Sequence, residues 1–524
     1  MKHTLRRLTL AVCLFSLPLS APPAAAQTPE PDAPRPDYLD PRLAPERRAA
    51  DLVSRMTLDE KVAQMMNKAP AIERLGVPAY DWWNEALHGV AYAGRATVFP
   101  QSIGLGASWD TALMRRVATA ISDEARAKHH EAVRRGNRGR FYGLTFWSPN
   151  INIFRDPRWG RGHETYGEDP HLTARLGVEF VRGLQGDDPK YLKTIATPKH
   201  YAVHSGPEPE RHVFDAVASA RDMRDTYLPA FRATIVEAGA GSVMCAYNRV
   251  NGEPACASTK LLGDILRGEW KFGGYVVSDC DAVADIYKKH LYAKTEEEGV
   301  ALAVKRGTEL TCGYEYRALP AAVKQGLISE AEIDEAVRRL FTARFRLGMF
   351  DPPEMVKYAG IPFEVNDSAE HRELARAAAR ESVTLLKNDG DTLPLRKDLK
   401  TVAVIGPNAD SLEVLLGNYH GIPSKWVTAV EGIRAKVSPQ TTVLHAMGTT
   451  LTGEALVPVP ADAFTTEAGT PGLSAEYFAN EELKGEPAVR RTDARLNFNW
   501  FTDPPAPGLP YDRFSARWTG RLTA

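Results

Sequence analysis

The stretch SVMCAYNRVNGEPACASTKLLGDILRGEWKFGGYVVSD, residues 242–279, contains the pattern on which the fold prediction depends. Apolar runs at its start and end have the length and composition of buried strands, and the segment KLLGDILRGEW between them has apolar residues at helical spacing. The second run ends in an acid, Asp279, and Asp281 follows two residues later. The stretch therefore predicts a strand–helix–strand unit with a carboxylate at the end of its second strand.

The same alternation of short apolar runs and amphipathic segments extends over roughly 300 residues, which is typical of a (β/α)8 barrel or a doubly wound sheet. Polar residues suited to chemistry follow several of the predicted strands, at Arg161, Lys199, His200, Tyr247 and Asp279. A barrel places its site on the loops at the carboxyl ends of many strands, whereas a doubly wound sheet gathers its site at one switch point. The distribution favours an α/β fold with a TIM-like (β/α)8 barrel.

The 524 residues are too many for one compact core, so we expect several regions. The helical pattern AEHRELARAAARESVTLLKN followed by a buried strand, TVAVIGPNA, predicts a second α/β domain, and later short alternating runs with many turns predict a β-rich module. The predicted regions are a signal peptide (1–26), a Pro-rich leader (27–45), the barrel (46–352), a linker (353–368), a partial α/β sandwich domain (369–460) and a partial β-rich domain (461–524).

The amino terminus predicts export. A basic start, an apolar run from Leu8 to Leu19 and small residues at Ala24 to Ala26 form the three parts of a secretory signal, which is too short for a membrane anchor. We therefore expect a periplasmic or extracellular protein without a membrane span. The net charge of −1 gives no reason to expect a nucleic-acid partner.

The candidate site residues suit the hydrolysis of a glycosidic bond. Retention of configuration requires one carboxylate beneath the anomeric carbon, and Asp279, fixed at a strand end, suits this role. Sugars are held by charge-assisted hydrogen bonds to their hydroxyls and by aromatic packing. The segments RWGRGHETYGED, TPKHYAVHSG and YDWWNEALHG supply such groups, including two tryptophans, Trp82 and Trp83.

Together these motifs resemble glycoside hydrolase family 3, and specifically its β-xylosidase-like members. WWNEALHGV, RDPRWGRGHETYGEDP, TPKHYAVHSG, SVMCAYNRVNGEPACA and GYVVSDCDAV occur in the order found in that family. The later β-rich segment resembles the start of a PA14 module. The resemblance implies an exo-acting retaining β-glycosidase that releases terminal xylose from xylo-oligosaccharides and needs no cofactor or metal. Its alternatives are a β-glucosidase, an α-L-arabinofuranosidase or a sugar-binding protein without catalysis.

The resemblance also implies a role for individual residues. Asp279 would be the nucleophile, and Tyr247 would orient it. Hydroxyls of the terminal sugar would be held by Arg161, Lys199 and His200, with Arg211 nearby. Glu85 stands where glucosidases of the family carry Asp, and the Glu form accompanies pentose-preferring members. The family's general acid, a Glu late in the second α/β domain, has no counterpart here, so we expect the chain to be a fragment that cleaves natural substrates poorly.

Four cysteines remain after the predicted signal, without the spacing of a zinc site. Neighbouring strands lie about 4.8 Å apart, close to the Cα separation of a disulfide. We therefore predict that Cys280, beside the nucleophile, pairs with Cys312 at the end of the next strand. With Trp82 or Trp83 opposite, this bridge would fill the space that a hexose hydroxymethyl group needs. Cys245 and Cys256 could pair across their turn.

Overall fold

The computed structural model describes residues 36–451, 459–498, 500, 504–510 and 513–523. The predicted signal peptide and most of the Pro-rich leader lie outside these residues. The α-helices are α1 (Pro45–Ser54), α2 (Leu58–Gln64), α3 (Ser102–Ala107), α4 (Thr111–Arg134), α5 (Pro170–Gln185), α6 (Ala220–Asp222), α7 (Pro229–Arg232), α8 (Ala282–Lys288), α9 (Glu296–Arg306), α10 (Leu319–Lys324), α11 (Glu330–Arg346), α12 (Ala369–Glu381), α13 (Leu412–Leu416) and α14 (Ala429–Lys436).

The strands are short in the first part of the chain and longer towards its end. They are β1 (Lys68–Ala69), β2 (Tyr80–Asp81), β3 (Thr145–Phe146), β4 (Ile195–Ala196), β5 (Asp215–Ala216), β6 (Ser242–Cys245), β7 (Arg249–Val250), β8 (Glu253–Pro254), β9 (Tyr275–Ser278), β10 (Thr401–Ile405), β11 (Thr442–Ala446), β12 (Phe464–Thr465), β13 (Leu473–Phe478), β14 (Val489–Asp493), β15 (Ser515–Thr519) and β16 (Arg521–Leu522).

Backbone pairing links seven segments of the described chain in a closed series. The strand pairs β3–β4 and β6–β9 are parallel, β1–β2 is antiparallel, and isolated parallel bridges make the remaining connections. The last of these bridges joins Met66 to Thr311 and returns the series to its start. The α/β architecture agrees with the sequence analysis. The eightfold barrel stays a prediction, since these pairings connect seven segments and one pair runs antiparallel.

Residues of β9 alternate between two hydrophobic clusters, as expected for a strand buried on both faces. Tyr275 and Val277 belong to one cluster, and Val276 belongs to the other. The helix predicted between β6 and β9 is present as a π-helical segment, Thr259–Glu269. Its amphipathic pattern buries Leu262 and Leu266, so the strand–helix–strand unit encloses apolar side chains between its elements. This packing fixes the end of β9, where Asp279 follows.

Side-chain caps fix several helix starts near this framework. Thr57 caps α2 through a capping box with Glu60, and Ser329 does the same for α11 with Glu332. Such caps satisfy backbone N–H groups that would otherwise lack partners and contribute about 1 kcal/mol each. No helix in the described part of the chain is both long enough and apolar enough to cross a bilayer.

The second α/β region differs from the prediction in one respect. TVAVIG forms strand β10 and pairs in parallel with β11, but β10 is not buried, and Ile405 is 67% exposed. The cause is that β10 pairs only with β11 among the described residues, so neither face of the pair is fully covered. Beyond it, β13 lies between β14 and β15 in an antiparallel sheet, in agreement with the predicted β-rich segment.

Candidate active site

Asp279 follows directly after β9, and its side chain is almost completely buried. Its Oδ1 accepts a hydrogen bond of 2.9 Å from the backbone N–H of Cys280. Burial raises the pKa of Asp279, while Arg161, Lys199 and the Tyr247 hydroxyl act in the opposite direction. A carboxylate in this position needs nearby positive charge to remain ionised, and the two cations supply it.

His200 faces Asp279 in its neutral form. Burial, followed by the positive charges around it, lowers the pKa of His200 well below its ordinary value. The Nδ1 atom lies 2.9 Å from Asn152 Oδ1, an acceptor that also takes the His200 backbone N–H at 2.7 Å. Nδ1 therefore carries the proton, and Nε2 presents a lone pair 3.5 Å from Asp279 Oδ2. Nε2 is therefore an acceptor for a ligand hydroxyl beside Asp279.

Lys199 and Glu85 form a buried ion pair beside this histidine, with Lys199 Nζ 2.9 Å from Glu85 Oε2. The other carboxylate oxygen of Glu85 accepts a hydrogen bond of 3.3 Å from Trp83 Nε1. Burial raises the pKa of Glu85 to about 7, although Lys199 opposes this rise. The pair sets a carboxylate and an ammonium group side by side, which is suitable for binding hydroxyl groups.

Arg161 forms a second buried pair, with Glu164. Its Nη2 donates to Glu164 Oε2 at 2.5 Å, and its Nε donates to Oε1. Burial opposes ionisation of Glu164, but the Arg161 charge outweighs it and lowers the pKa of this carboxyl to about 2. Glu164 is thus an anchor that orients the Arg161 guanidinium towards the Asp279 side of the site.

Tyr247 and Arg211 lie on the other side of the nucleophile candidate. Tyr247 follows β6 by two residues, and burial together with the Asp279 charge raises its pKa, so the hydroxyl remains a donor. The Arg211 guanidinium lies 5.8 Å from the centre of the Tyr247 ring and pairs with Glu208. The structure therefore brings Asp279, His200, Lys199, Glu85, Arg161 and Tyr247 together, with Arg211 at the periphery.

Trp82 does not join this site, and the prediction that it binds substrate is corrected. Its ring is 1% exposed and packs edge-on against Tyr80 and Tyr275 in the hydrophobic core. Tyr275 begins β9, and Asp279 lies four positions further along the extended chain, a distance of about 13 Å. Trp83 points the other way, as alternation requires, stacks on Trp147 with ring centres 5.6 Å apart and remains beside Glu85.

Two disulfides lie near the ends of these strands. Cys280 and Cys312 are joined with Cα atoms 4.3 Å apart, and Cys245 and Cys256 with Cα atoms 5.1 Å apart. The first bridge follows Asp279 directly in the chain, and its pairing is the one that the sequence predicted. The second ties the end of β6, two residues before Tyr247, to the turn that follows it.

Sequence reasoning did not identify two groups of the site. Asn152 fixes the His200 tautomer, and a lone amide has no sequence signature. Tyr419, from the second α/β region, lies over the cations of the site: its ring centre is 4.9 Å from Lys199 Nζ and 5.7 Å from Arg161 Cζ. Only its place in the segment GNYHGIPS, between two regular elements, distinguishes Tyr419 in the sequence.

An α/β framework that holds a buried carboxylate among paired cations, a neutral imidazole and an aromatic ring defines a carbohydrate-active class of protein. The chain belongs to glycosyl hydrolase family 3. Residues 48–343, more than half of the chain, match the family's N terminal domain, residues 383–496 match its C-terminal domain, and residues 469–524 match the PA14 domain.

Similar proteins include a xylan 1,4-β-xylosidase of Xylanibacter ruminicola, 42% identical over 93% of this chain and 57% of that protein. β-D-xylosidase 3 of Arabidopsis thaliana is 43% identical over 76% of this chain and 53% of that protein. A solved GH3 exo-β-xylosidase in complex with a xylobiose aziridine activity-based probe has a TM-score of 0.73 and 37% identity, over 80% of this chain and 55% of that one. A β-glucosidase from Listeria innocua in complex with isofagomine has a TM-score of 0.67 and 31% identity, over 77% and 60%. The chain thus spans about half the length of the curated relatives it matches.

Proposed function

We propose that this polypeptide carries the nucleophile site of an exo-acting, retaining β-glycosidase that releases terminal xylose from xylo-oligosaccharides. The observation that carries the proposal is the setting of Asp279: the Tyr247 hydroxyl hydrogen-bonds the carboxylate, one of its oxygens is anchored on the Cys280 N–H, and the other lies 3.5 Å from His200 Nε2. That oxygen is the one available for attack on an anomeric carbon. We further propose that Asp279 stands on a loop at the carboxyl end of a TIM-like barrel strand.

In the proposed reaction, Asp279 Oδ2 forms a bond to the anomeric carbon while the bond from that carbon to the leaving oxygen breaks. The electron pair of the broken bond goes to the leaving oxygen. Water then attacks the same carbon, passes a proton to the solvent, and releases the sugar and the free carboxylate. Lys199, Arg161 and the lone pair of His200 would hold the hydroxyls, which positions the ring for in-line attack. We assign no described residue to the protonation of the leaving oxygen.

The preference for a pentose rests on the wall beside Asp279. The Cys280–Cys312 bridge follows the nucleophile directly, and Trp83 is held beside Glu85 by its hydrogen bond. A hexose would have to place its hydroxymethyl group against such a wall. The similarity to β-xylosidases supports this choice, and the likeness to the β-glucosidase of Listeria innocua makes β-glucosidase activity the second candidate.

The test is covalent trapping with a 2-deoxy-2-fluoro-β-xyloside that carries a dinitrophenyl leaving group, since such a group departs without a proton. We expect one label on the peptide that contains Asp279, with Asp279→Asn unlabelled as the control. A protein that binds xylose but takes up no label would be a sugar-binding protein without catalysis, and the proposal would be wrong. Replacing the probe by the corresponding glucoside tests the pentose preference, for which we expect slower labelling.

Export is part of the same proposal and rests on the pattern of residues 1–26. Expression in a secreting bacterial host, followed by amino-terminal sequencing of the exported protein, tests it. A mature protein that begins directly after Ala26 is the expected result, and retention in the cytoplasm with Met1 intact is the contrary one.

A further inference from the structure

Four polar side chains beside the candidate site line one small cavity. They are Trp159, His204, Glu208 and Arg211. Each has one buried polar atom without a hydrogen-bond partner among the described residues: Trp159 Nε1, His204 Nε2, Glu208 Oε2 and Arg211 Nε. Buried polar atoms in folded proteins nearly always have a partner, either from the protein or from ordered water. Four such atoms around one cavity therefore indicate that a ligand binds there.

The chemistry of three of these atoms is fixed by their residue type. The indole Nε1 of Trp159 and the guanidinium Nε of Arg211 each carry one hydrogen and can only donate. The carboxylate of Glu208 accepts a hydrogen bond from Arg211 through its Oε1, which leaves Oε2 as an acceptor for another group.

The fourth atom, His204 Nε2, is an acceptor because its neighbours fix the tautomer. Asn248 Nδ2 donates to the carbonyls of Ala202 at 3.1 Å and of Arg249 at 2.9 Å, so Asn248 Oδ1 is the atom that lies 3.3 Å from His204 Nδ1. Nδ1 therefore carries the proton. Burial, followed by the charges of nearby arginines, lowers the pKa of His204 to about 3, so the ring is neutral and Nε2 keeps its lone pair.

The cavity thus offers two donors and two acceptors, which are the complement of one water molecule with its two hydrogens and two lone pairs. The cavity has about 10 Å³ of space for the centre of a water molecule, which is room for a single water. A hydroxyl group has only one hydrogen and would leave one acceptor without a partner. The Arg211 charge opposes a cation, and the Glu208 charge opposes an anion.

We propose that this cavity binds a single water molecule, which links Arg211 to His204 and holds the Arg211 guanidinium beside Tyr247. Arg211 Cζ lies 5.8 Å from the centre of the Tyr247 ring, and the rings of His204 and His200 are 4.8 Å apart. Tyr247 and His200 are the residues that face Asp279, so the water supports both from behind. This positioning role rests on the proposed function, whereas the binding of the water does not.

The water is tested directly by NMR of the wild-type protein labelled with ¹⁵N-tryptophan. Trp159→Phe identifies the Trp159 indole signal among those of the nine tryptophans. A bound water gives that indole proton cross peaks of opposite sign in NOE and ROE spectra, whereas hydrogen exchange with the solvent gives the same sign in both. We expect opposite signs for Trp159. Cross peaks of equal sign, or no cross peak, would overturn the proposal.

The Trp109 indole is the reference for exchange with the solvent, since Trp109 is 74% exposed. Trp109→Phe identifies its signal, for which we expect equal signs. The same spectra test the contribution of Glu208. Glu208→Gln keeps the size of the side chain, but an amide whose oxygen stays on Arg211 turns its NH₂ group to the cavity as a third donor.

We therefore expect Glu208→Gln to lose the water cross peak of the Trp159 indole. Glu210→Gln, at an exposed residue two positions away, is the matched control and should keep it. An unchanged cross peak in Glu208→Gln would contradict a site that needs two acceptors.

The positioning role is tested by the rate of labelling with the dinitrophenyl 2-fluoro xyloside. Trp159→Phe removes one donor to the water and leaves the Arg211–Glu208 pair in place. It should slow labelling by about 2- to 10-fold, the range that one hydrogen bond contributes, and Trp109→Phe should label like the wild type. Near-ultraviolet circular dichroism reports whether each variant is folded.

The outcomes separate the water from the reaction. Equal labelling rates in Trp159→Phe and Trp109→Phe would overturn the positioning role, even with the water cross peak present and the proposed function intact. Absence of label on the wild-type protein would refute the proposed function and, with it, the positioning role. The NOE and ROE signs would then still decide whether the cavity binds a water.

Discussion

Lys199 Nζ lies 2.9 Å from Glu85 Oε2, and each of the two side chains is only 2% exposed. Removing two charges from water costs several kcal/mol per ion, which their attraction offsets only when the geometry is good. This protein therefore keeps a pair at its candidate site that a purely structural core would not need. The pair couples the stability of the fold to the groups that we expect to bind substrate.

The first prediction concerns that coupling. At pH 8, Lys199→Met should lower the free energy of unfolding by about 3–5 kcal/mol, because it leaves the Glu85 charge buried without a partner. Glu85→Gln should not destabilise the fold at this pH, because burial raises the pKa of Glu85 and so disfavours its charge. The double variant should be less destabilised than the sum of the two, as urea unfolding of all four proteins would show. Strict additivity would mean that the two residues do not interact.

The second prediction is a pH dependence. Burial raises the pKa of Glu85 from 4.5 to about 7, so the folded state retains a proton that the unfolded state releases within this window. The free energy of unfolding of the wild type should therefore fall, relative to Glu85→Gln, as pH rises from 4.5 to 7. The difference in free energy of unfolding between the wild type and Glu85→Gln should change by roughly 3 kcal/mol over this range. The exposed Glu354→Gln serves as the control, and its stability should follow that of the wild type at every pH.

The third prediction compares the two disulfides. Cys280–Cys312 closes a loop of 32 residues and Cys245–Cys256 a loop of 11 residues. Loop-closure entropy gives about 3.7 kcal/mol for the longer loop and about 2.8 kcal/mol for the shorter one. Replacing both cysteines of a bridge by Ser should lower the temperature of thermal unfolding, and the decrease should be larger for the Cys280–Cys312 bridge.

Only the loss of Cys280–Cys312 should also speed labelling by the 2-fluoro glucoside relative to the xyloside, because only this bridge adjoins Asp279. The Cys245→Ser/Cys256→Ser variant is the matched control. An unchanged sugar preference in both variants would remove the steric argument for a pentose.

The fourth prediction concerns the exposed apolar side chains of the second α/β region. Leu386 is 91% exposed and Ile405 is 67% exposed, and within the described ranges β10 is paired on one side only. Exposed strands and apolar patches of this kind promote association between chains. The double variant Leu386→Lys/Ile405→Lys should scatter less light than the wild type when the protein is concentrated. Its free energy of unfolding should not fall. Val217→Lys, at an exposed but separate apolar residue, should have no effect, and equal improvement from it would argue against this surface.

The parts of the fold that sequence could predict are those decided by local pattern. The apolar run before Asp279 forms β9 because both faces of that strand are buried, and Thr57 caps α2 because its neighbours supply the capping box. The burial of β10 could not be predicted in the same way. An apolar strand is buried only if other elements cover it, and this depends on partners distant in the chain.

The site shows the same division between local and distant information. Asp279, Lys199 and His200 were identified because they follow apolar runs, and the strands place those ends together. Trp82 was misplaced because two adjacent residues of an extended segment face opposite ways, and sequence does not say which of them faces the core. Tyr419 was missed because its contacts to Lys199 and Arg161 depend on the packing of two separate regions.

The last prediction concerns Asp279→Asn. Burial raises the pKa of Asp279, which means that the folded state disfavours the charge that the proposed reaction requires. Removing the charge should therefore increase the free energy of unfolding, by about 0.5–2 kcal/mol, while labelling by the 2-fluoro xyloside is lost. Because the folded pKa is raised, the advantage of Asn should grow as pH rises through it and vanish in acid, where Asp279 is protonated in both states. Urea unfolding of Asp279→Asn and of the wild type, once at about pH 4 and once at about pH 8, measures this difference in the free energy of unfolding. The exposed Asp389→Asn provides a control for the change from acid to amide, and a destabilised Asp279→Asn at pH 8 would show that the carboxylate serves the fold rather than the chemistry.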